Sequence, residues 1–354
     1  MIRGDSVSTT QTLLQTQVPR PLSVGRRSAV VGTGSCLPAR SVHNDDFPAT
    51  LATNDEWIRT RTGIRCRRLT GPDENSYTLG LEAGRRAIAA AGLTANDIDL
   101  IVCATVTPYT MCPSNACRFQ GELGCRPIPA FDVIGACTGF IHVMSIADQF
   151  IQSGTCNNVL VVGSDVLSRT LDYTDRSTCI LFGDAAGAVV LSATGEQGRG
   201  VRWTRMYSDG ARGDLIRMPS HVTNTIAVLS EGQAAAPVIP HLVLNGREVF
   251  RFAVRALVGL VQEALEACPV PEGARFLLVP HQVNQRIIDA ALQELPLRPE
   301  QVVLNLDRYG NTSAASIPLA LDEAVATGTV RSGDHLLMAA FGGGLTWGGI
   351  MLTL

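Results

Sequence analysis

Apolar positions along this chain alternate between two periods. Short, nearly continuous runs of Val, Ile, Leu, Ala and Cys fall at 29–32, 100–105, 129–133 and 158–163 and read as buried strands. Between them, apolar residues at helical spacing predict helices over 76–91, 114–123 and 138–152. The second half repeats the plan, with a helix at 246–267, a strand at 276–280, a helix at 284–293, a strand at 302–306 and a helix at 312–327. Each half closes on a glycine-laced segment that reads as a hairpin, 182–191 in the first and 336–354, around Gly342-Gly343-Gly344, in the second. This alternation predicts an α/β fold of mixed sheets covered by helices, and the matched closures hint at an internal duplication. Segment 197–240 has the weakest periodicity, with Gly210, Gly213, Pro219, Pro237 and Pro240, and is expected to form loops over a cleft. No long Pro/Ser linker divides the halves, so they are expected to pack as one body.

Composition narrows the classes of function. With 354 residues, 45% hydrophobic and 17% charged, the chain has material for an ample core. A net charge of −3 and the lack of a basic tract with interleaved aromatics argue against nucleic-acid binding. No apolar stretch is long enough to span a bilayer, so no membrane association is expected. All 29 Lys+Arg residues are arginine. Without lysine, Schiff-base chemistry, a pyridoxal-phosphate anchor and a P-loop are excluded. Gly32-Thr33-Gly34 lacks the third glycine and following helix of a dinucleotide fingerprint, which argues against a nucleotide-binding reductase. The 10 cysteines form no Cys-x-x-Cys pair and the histidines no His-x-x-x-His, so no metal site is expected. Reduced thiols in the cytoplasm are the expectation. Residues 1–27, rich in Ser, Thr and Gln, are expected to form a flexible tail in preference to a transit peptide.

Candidate chemistry begins at Cys137, in Ala130-Phe131-Asp132-Val133-Ile134-Gly135-Ala136-Cys137-Thr138-Gly139-Phe140. An apolar strand precedes it and a helix follows, so the thiol stands at a helix N-terminus, whose macrodipole favours thiolate. Gly135 and Gly139 leave room for a substrate. A cysteine is by default a core residue; Cys103, Cys156, Cys179 and Cys268 read that way. His281 follows the run Phe276-Leu277-Leu278-Val279, so it emerges at a strand's C-terminal end, where α/β folds place their chemistry. Asn311 lies at the start of another helix, where the default role of asparagine is a cap. Arg247, Arg251 and Arg255 recur every fourth residue along helix 246–267, a single basic stripe beside Phe250, Val254 and Leu257.

In this order and spacing the motifs resemble those of the β-ketoacyl-acyl-carrier-protein synthase III family, thiolase-fold condensing enzymes that start fatty-acid synthesis. The resemblance runs from about residue 28 to the C-terminus. Its marks are Asp55-Glu56-Trp57-Ile58-Arg59-Thr60-Arg61-Thr62-Gly63-Ile64, the Cys137 elbow, Val162-Gly163-Ser164-Asp165, Phe182-Gly183-Asp184 and Pro280-His281-Gln282-x-Asn284. Gly310-Asn311-Thr312-Ser313-Ala314-Ala315-Ser316 and Phe341-Gly342-Gly343-Gly344-x-Thr346-Trp347-Gly348 complete the set.

The resemblance implies a thiolase-like α/β fold of two duplicated halves, 28–196 and 197–354, forming a layered αβαβα body. It implies a Cys137–His281–Asn311 triad. By the same resemblance Cys137 would take an acyl group from acyl-CoA, and the N–H groups of Cys137 and Gly343 would form the oxyanion hole. His281 and Asn311 would stabilise the enolate formed when malonyl-acyl-carrier protein loses CO2. No metal or cofactor is implied. Trp57 and Arg176 would hold the adenine of CoA, Arg61 its phosphates and Asn284 its pantetheine arm. Phe341 would line the acyl pocket, as would Cys112, which stands where relatives carry a bulky apolar residue that reaches the partner's pocket across a homodimer. Because acyl carrier protein is acidic, the stripe of Arg247, Arg251 and Arg255, with Arg286, is the expected docking face. Two departures, Cys112 and Ile134-Gly135, leave the primer's length and branching open. A pathway-specific paralogue that primes polyketide or other secondary metabolism, or transfers acyl groups to oxygen or nitrogen, is the alternative.

Overall fold

The computed structural model describes residues 26–218 and 241–354. The two segments outside it include most of the expected tail and the later part of the expected 197–240 loop. In chain order the strands of the first sheet are β1 (Arg27–Cys36), β4 (Leu100–Ala104), β5 (Ala130–Val133), β6 (Asn158–Val166) and β7 (Asp184–Thr194), after a small ribbon of β2 (Arg40–His43) and β3 (Cys66–Leu69). They are arranged β1-β7-β6-β4-β5. The second sheet is β11-β12-β13-β8, from β8 (Gly200–Ser208), β11 (Phe276–Pro280), β12 (His335–Gly342) and β13 (Thr346–Thr353). A two-residue pair, β9 (Ile216–Arg217) with β10 (Val243–Leu244), lies apart.

The two sheets share one plan. In each, the first strand of the half pairs antiparallel with the last, the last pairs antiparallel with its neighbour, and the next pairing is parallel. The fifth position, β5 in the first sheet, survives in the second only as a parallel bridge between Leu278 and Val302. The expected strand at 302–306 is therefore corrected. The side-chain oxygen of Gln282 accepts the N–H groups of Asn305 and Leu306 at 3.0 and 3.2 Å. That diverts the backbone into the short helix α7 (Leu306–Tyr309).

Helices complete the layers. α2 (Ser76–Ala90) and α3 (Asn115–Leu123) cover the outer face of the first sheet; α5 (Gly246–Ala267) covers the second, with α6 (Gln285–Leu292) packed on it. α4 (Gly139–Gln152) and α8 (Ser316–Ala326) fill the space between the sheets and touch both. The α5 stripe is periodic: Val249, Phe252, Ala253, Ala256, Leu257 and Leu260 are buried, while Arg247, Arg251 and Arg255 are exposed. Burial of each large apolar side chain contributes about 1.5–3 kcal/mol, so this face alone fixes the helix to its sheet.

Two further expectations are corrected. Residues 182–191 form no hairpin: from Asp184 onward they belong to the single long strand β7. Gly187 marks close approach to α8, since a Cβ there would stand 2.7 Å from the Leu319 nitrogen. Part of the expected loop at 197–240 is the strand β8, whose buried Val201 and Trp203 alternate with less buried neighbours. Arginines at Arg199, Arg202 and Arg205 mask that period in the sequence. Cys103, Cys156, Cys179 and Cys268 are buried, as expected.

Candidate active site

The ends of both sheets and the helices beside them surround a cavity of about 360 Å3. Cys137, His281, Asn311, Phe341 and Gly343 all line it, as do Trp57, Arg61, Arg176 and Asn284 towards the mouth. Residues separated by up to 286 positions in sequence thus meet at one place, because the strand ends of the two sheets face the same side.

Cys137 sits in a 3-10 turn, Ala136–Thr138, that runs directly into α4. Ala136 has φ 45° and Ser313, on the opposing loop, φ 52°. Non-glycine residues in this left-handed region cost about 1–3 kcal/mol each and concentrate at functional sites. The strain holds the sulfur at the tip of a sharp turn. Gly342 closes in from β12; a Cβ there would meet the Cys137 Cβ at 2.8 Å and its nitrogen at 3.2 Å. Glycine is what lets the β12–β13 turn cross in front of Cys137. Thr138 and Thr346 pin the two loops together through their hydroxyls at 2.6 Å.

The electrostatics depart from the sequence expectation. Burial pushes the Cys137 thiol up to about 12, against the lowering pull of a Ser313 hydrogen bond, and the buried Asp165 raises it further. Cys137 is partly accessible and lines the cavity. The helix end does not leave a resting thiolate; desolvation outweighs it. Asp165 is itself fully buried and raised by that burial. Its carboxylate accepts from the Val106 nitrogen at 2.8 Å, the Thr105 and Thr107 hydroxyls, and the Ala314 nitrogen at 3.2 Å. It ties the Ser313 loop to the end of the first sheet.

His281 leaves the end of β11, its nitrogen donating to the Ala339 oxygen at 2.8 Å. Burial lowers it to about 3, so the imidazole is neutral at physiological pH. Nδ1 lies 2.7 Å from the Ser316 hydroxyl, and Nε2 is buried with no hydrogen-bond partner. Gln282 braces this strand end, donating to the oxygens of Pro280 and Val303 at 2.8 and 3.0 Å. Asn311 is locked by its backbone: its nitrogen donates to the Leu181 oxygen at 2.9 Å and its oxygen accepts from Gly183 at 3.0 Å. The Asn311 Oδ1 accepts the Ser313 nitrogen at 2.9 Å. With Oδ1 so engaged, the Nδ2 amide is left as a donor. The inner wall is apolar, built from Val106, Leu167, Ile180, Leu181 and Phe182. Beneath it the fully buried Arg67 donates to the Ile180 oxygen at 2.8 Å and to Asn44 at 2.9 Å.

At the mouth, helix α1 (Asp55–Thr62) is capped by Asn54, whose side chain accepts from the Trp57 nitrogen at 2.8 Å. The guanidinium carbons of Arg61 and Arg176 lie 4.3 and 4.9 Å from the Trp57 ring centroid. Asn284 caps α6, accepting from the Arg286 nitrogen at 2.9 Å. Arg247, Arg251, Arg255 and Arg286 are exposed and do not line the cavity. Arg251 pairs with Glu248 at 3.1 Å. Cys112 is exposed and lines no part of its own chain's cavity. Sequence reasoning assigned no role to Gly342, Ser313, Ser316 or Asp165. All four stand inside the motifs quoted above, but only their tertiary neighbours give them meaning.

Comparison with known proteins follows the same lines. Family profiles described as 3-oxoacyl-(acyl-carrier-protein) synthase III and its C-terminal part match residues 131–210 and 275–354. The β-ketoacyl-(acyl-carrier-protein) synthase III of Xanthomonas campestris pv. campestris is 46% identical over 325 residues, 92% of this chain and 98% of that one. That of Acidiphilium cryptum is 47% identical over 328 residues, 92% and 99%. The chain belongs to the β-ketoacyl-acyl-carrier-protein synthase III family. As a member it is an acyltransferase, a condensing enzyme of fatty-acid biosynthesis with the thiolase-like fold. The crystal structure of the Aquifex aeolicus synthase III superimposes with a TM-score of 0.84 at 41% identity, covering 92% of this chain and all of that one. The priming β-ketosynthase of the R1128 polyketide pathway gives 0.86 at 37%, covering 96% and 98%.

Proposed function

We propose that the chain primes fatty-acid synthesis by passing an acyl group through Cys137. The Sγ attacks the thioester carbonyl of an acyl-CoA, the N–H groups of Cys137 and Gly343 receive the developing oxyanion, and CoA leaves as its thiol with the cysteine proton. Malonyl-acyl-carrier protein then enters and loses CO2. The enolate oxygen takes hydrogen bonds from His281 Nε2 and Asn311 Nδ2, and its carbon attacks the acyl-cysteine, releasing β-ketoacyl-acyl-carrier protein and the Cys137 thiolate, which takes one proton from solvent to restore the thiol. The observation that carries this reading is the convergence of a thiol, a neutral imidazole with a free nitrogen and an oriented amide on one apolar-walled cavity.

Trp57, Arg176, Arg61 and Asn284 at the mouth suit the adenine, phosphates and pantetheine of CoA. A base stacked between Trp57 and Arg176 needs about 7 Å, two van der Waals contacts, so Arg176 must swing out from its 4.9 Å position on binding. A homodimer is supported by the edge strand β5 and the exposed Met111 and Ile134 near it, 78% and 77% accessible. Cys112 beside them would face the partner's pocket. Light scattering at the mass of one chain would sink that assignment. Free thiols at all 10 cysteines suit the reducing cytoplasm. Among the described residues no helix is long and apolar enough to cross a membrane.

Mass spectrometry tests the reaction. An acyl-CoA panel should leave one acyl mass on Cys137, and malonyl-acyl-carrier protein should discharge it as a β-ketoacyl product with CO2. Discharge only by an alcohol or amine would sink the condensing role. In the same assay Arg251→Glu should slow discharge by carrier protein about tenfold while sparing loading from acyl-CoA. Equal loss of both steps would remove the docking role. Likeness to the R1128 enzyme favours a second reading, priming of a polyketide pathway, which shares this chemistry and differs in the primer selected from the panel.

A further inference from the structure

We propose that Ser316 fixes His281 in the tautomer that carries its proton on Nε2, making it a positioning residue for the decarboxylative half-reaction. The inference rests on the reading of His281 as a donor to the enolate.

The argument is a count of protons. A neutral imidazole has one N–H and one lone-pair nitrogen, and a serine hydroxyl has one proton to give. His281 and Ser316 are each 1% exposed, so neither can turn to water. Their contact is 2.7 Å, and among the described residues the Ser316 hydroxyl makes no other hydrogen bond. If Nδ1 carried the proton and donated to the hydroxyl, the hydroxyl's own proton would be buried without an acceptor, and Nε2 would be a bare acceptor. If the hydroxyl donates to Nδ1, both groups are satisfied at once. The remaining proton then sits on Nε2, the ring nitrogen without a hydrogen-bond partner. His281 lines the same cavity as Asn311, whose Oδ1 is already engaged. Two donors are thus held ready for one substrate oxygen.

Burial independently keeps the ring from resolving the choice by taking a second proton. The edge of Phe341 beside the ring, centroids 5.8 Å apart at 71°, restrains the ring's rotation. Ser316 can play this part because it opens α8 directly after the 3-10 turn Ser313–Ala315, facing the end of β11.

The tautomer is read by nitrogen-15 NMR of histidine-labelled protein, with His281 assigned through its absence in His281→Ala. The wild type should show a protonated Nε2 and an unprotonated Nδ1; the opposite pattern overturns the proposal. In single-half-reaction assays, Ser316→Ala should load from acyl-CoA within about twofold of wild type. It should decarboxylate malonyl-acyl-carrier protein about tenfold more slowly or worse. Ser316→Thr, which keeps the hydroxyl, should recover most of that loss. A Ser316→Ala protein that decarboxylates normally, or a threonine variant that folds and does no better than alanine, also overturns it. Should Ser316→Ala fail to fold, the wild-type spectrum still decides. If the Nε2–H tautomer is found but neither His281→Ala nor Ser316→Ala slows decarboxylation, the donor role of His281 falls, and with it the use of the tautomer.

Discussion

Cys137→Ala is expected to abolish acyl transfer from acyl-CoA, by at least about 10^4-fold. No other thiol lines the cavity; the remaining cysteines are buried in the core or lie elsewhere on the surface. Intact-protein mass after incubation with acyl-CoA checks this, and an acyl adduct on the variant would overturn the nucleophile. The wild-type thiol should also behave as a protonated one. Because burial raises its pKa to about 12, the thiolate fraction is small at neutral pH and grows tenfold per unit as pH rises towards that value. Alkylation of Cys137 by iodoacetamide, followed by peptide mapping, should therefore lag the exposed Cys112 and Cys117 and keep rising at alkaline pH. Full labelling of Cys137 at pH 6 would contradict this.

His281→Ala and Asn311→Ala are expected to divide the two half-reactions. Each removes one donor from the enolate oxygen and should slow decarboxylation of malonyl-acyl-carrier protein by about 10^2–10^3-fold. Loading of Cys137 should stay within a few-fold, since neither side chain is assigned to the oxyanion hole. The double variant should fall short of the product of the two effects, because both donors serve one atom. Stopped-flow CO2 release and acyl-enzyme mass separate the steps; equal loss of both would show that His281 works as a base for Cys137. The pH profile is a second check. A histidine held near 3 is neutral on both sides of its ordinary pKa, so decarboxylation should cross pH 5.5–7.5 without an inflection from this group.

Much of the site was legible in the chain because its signals are local. A cysteine between a strand and a helix, and a histidine after an apolar run, are set by residues within one element of them. The strands of the second half failed where a distant group intervened. Residues 302–306 read as a strand, yet Gln282 takes two of the backbone donors such a strand would use. Gly183 and Gly187 read as turn residues, yet they are small because Tyr309 and Pro318-Leu319 press against them.

The sequence by itself determined the periodicity of the sheets and helices, the residue types of the chemistry and the basic face of α5. Those follow from side-chain period and turn chemistry, which act over a few residues. Only the tertiary structure decided which proton each group holds. Burial pushes the Cys137 thiol up to about 12 and lowers His281 to about 3, both because of neighbours brought from far along the chain. Desolvation and hydrogen-bond occupancy belong to the surroundings of an atom, and for these atoms the surroundings are assembled from both halves of the fold.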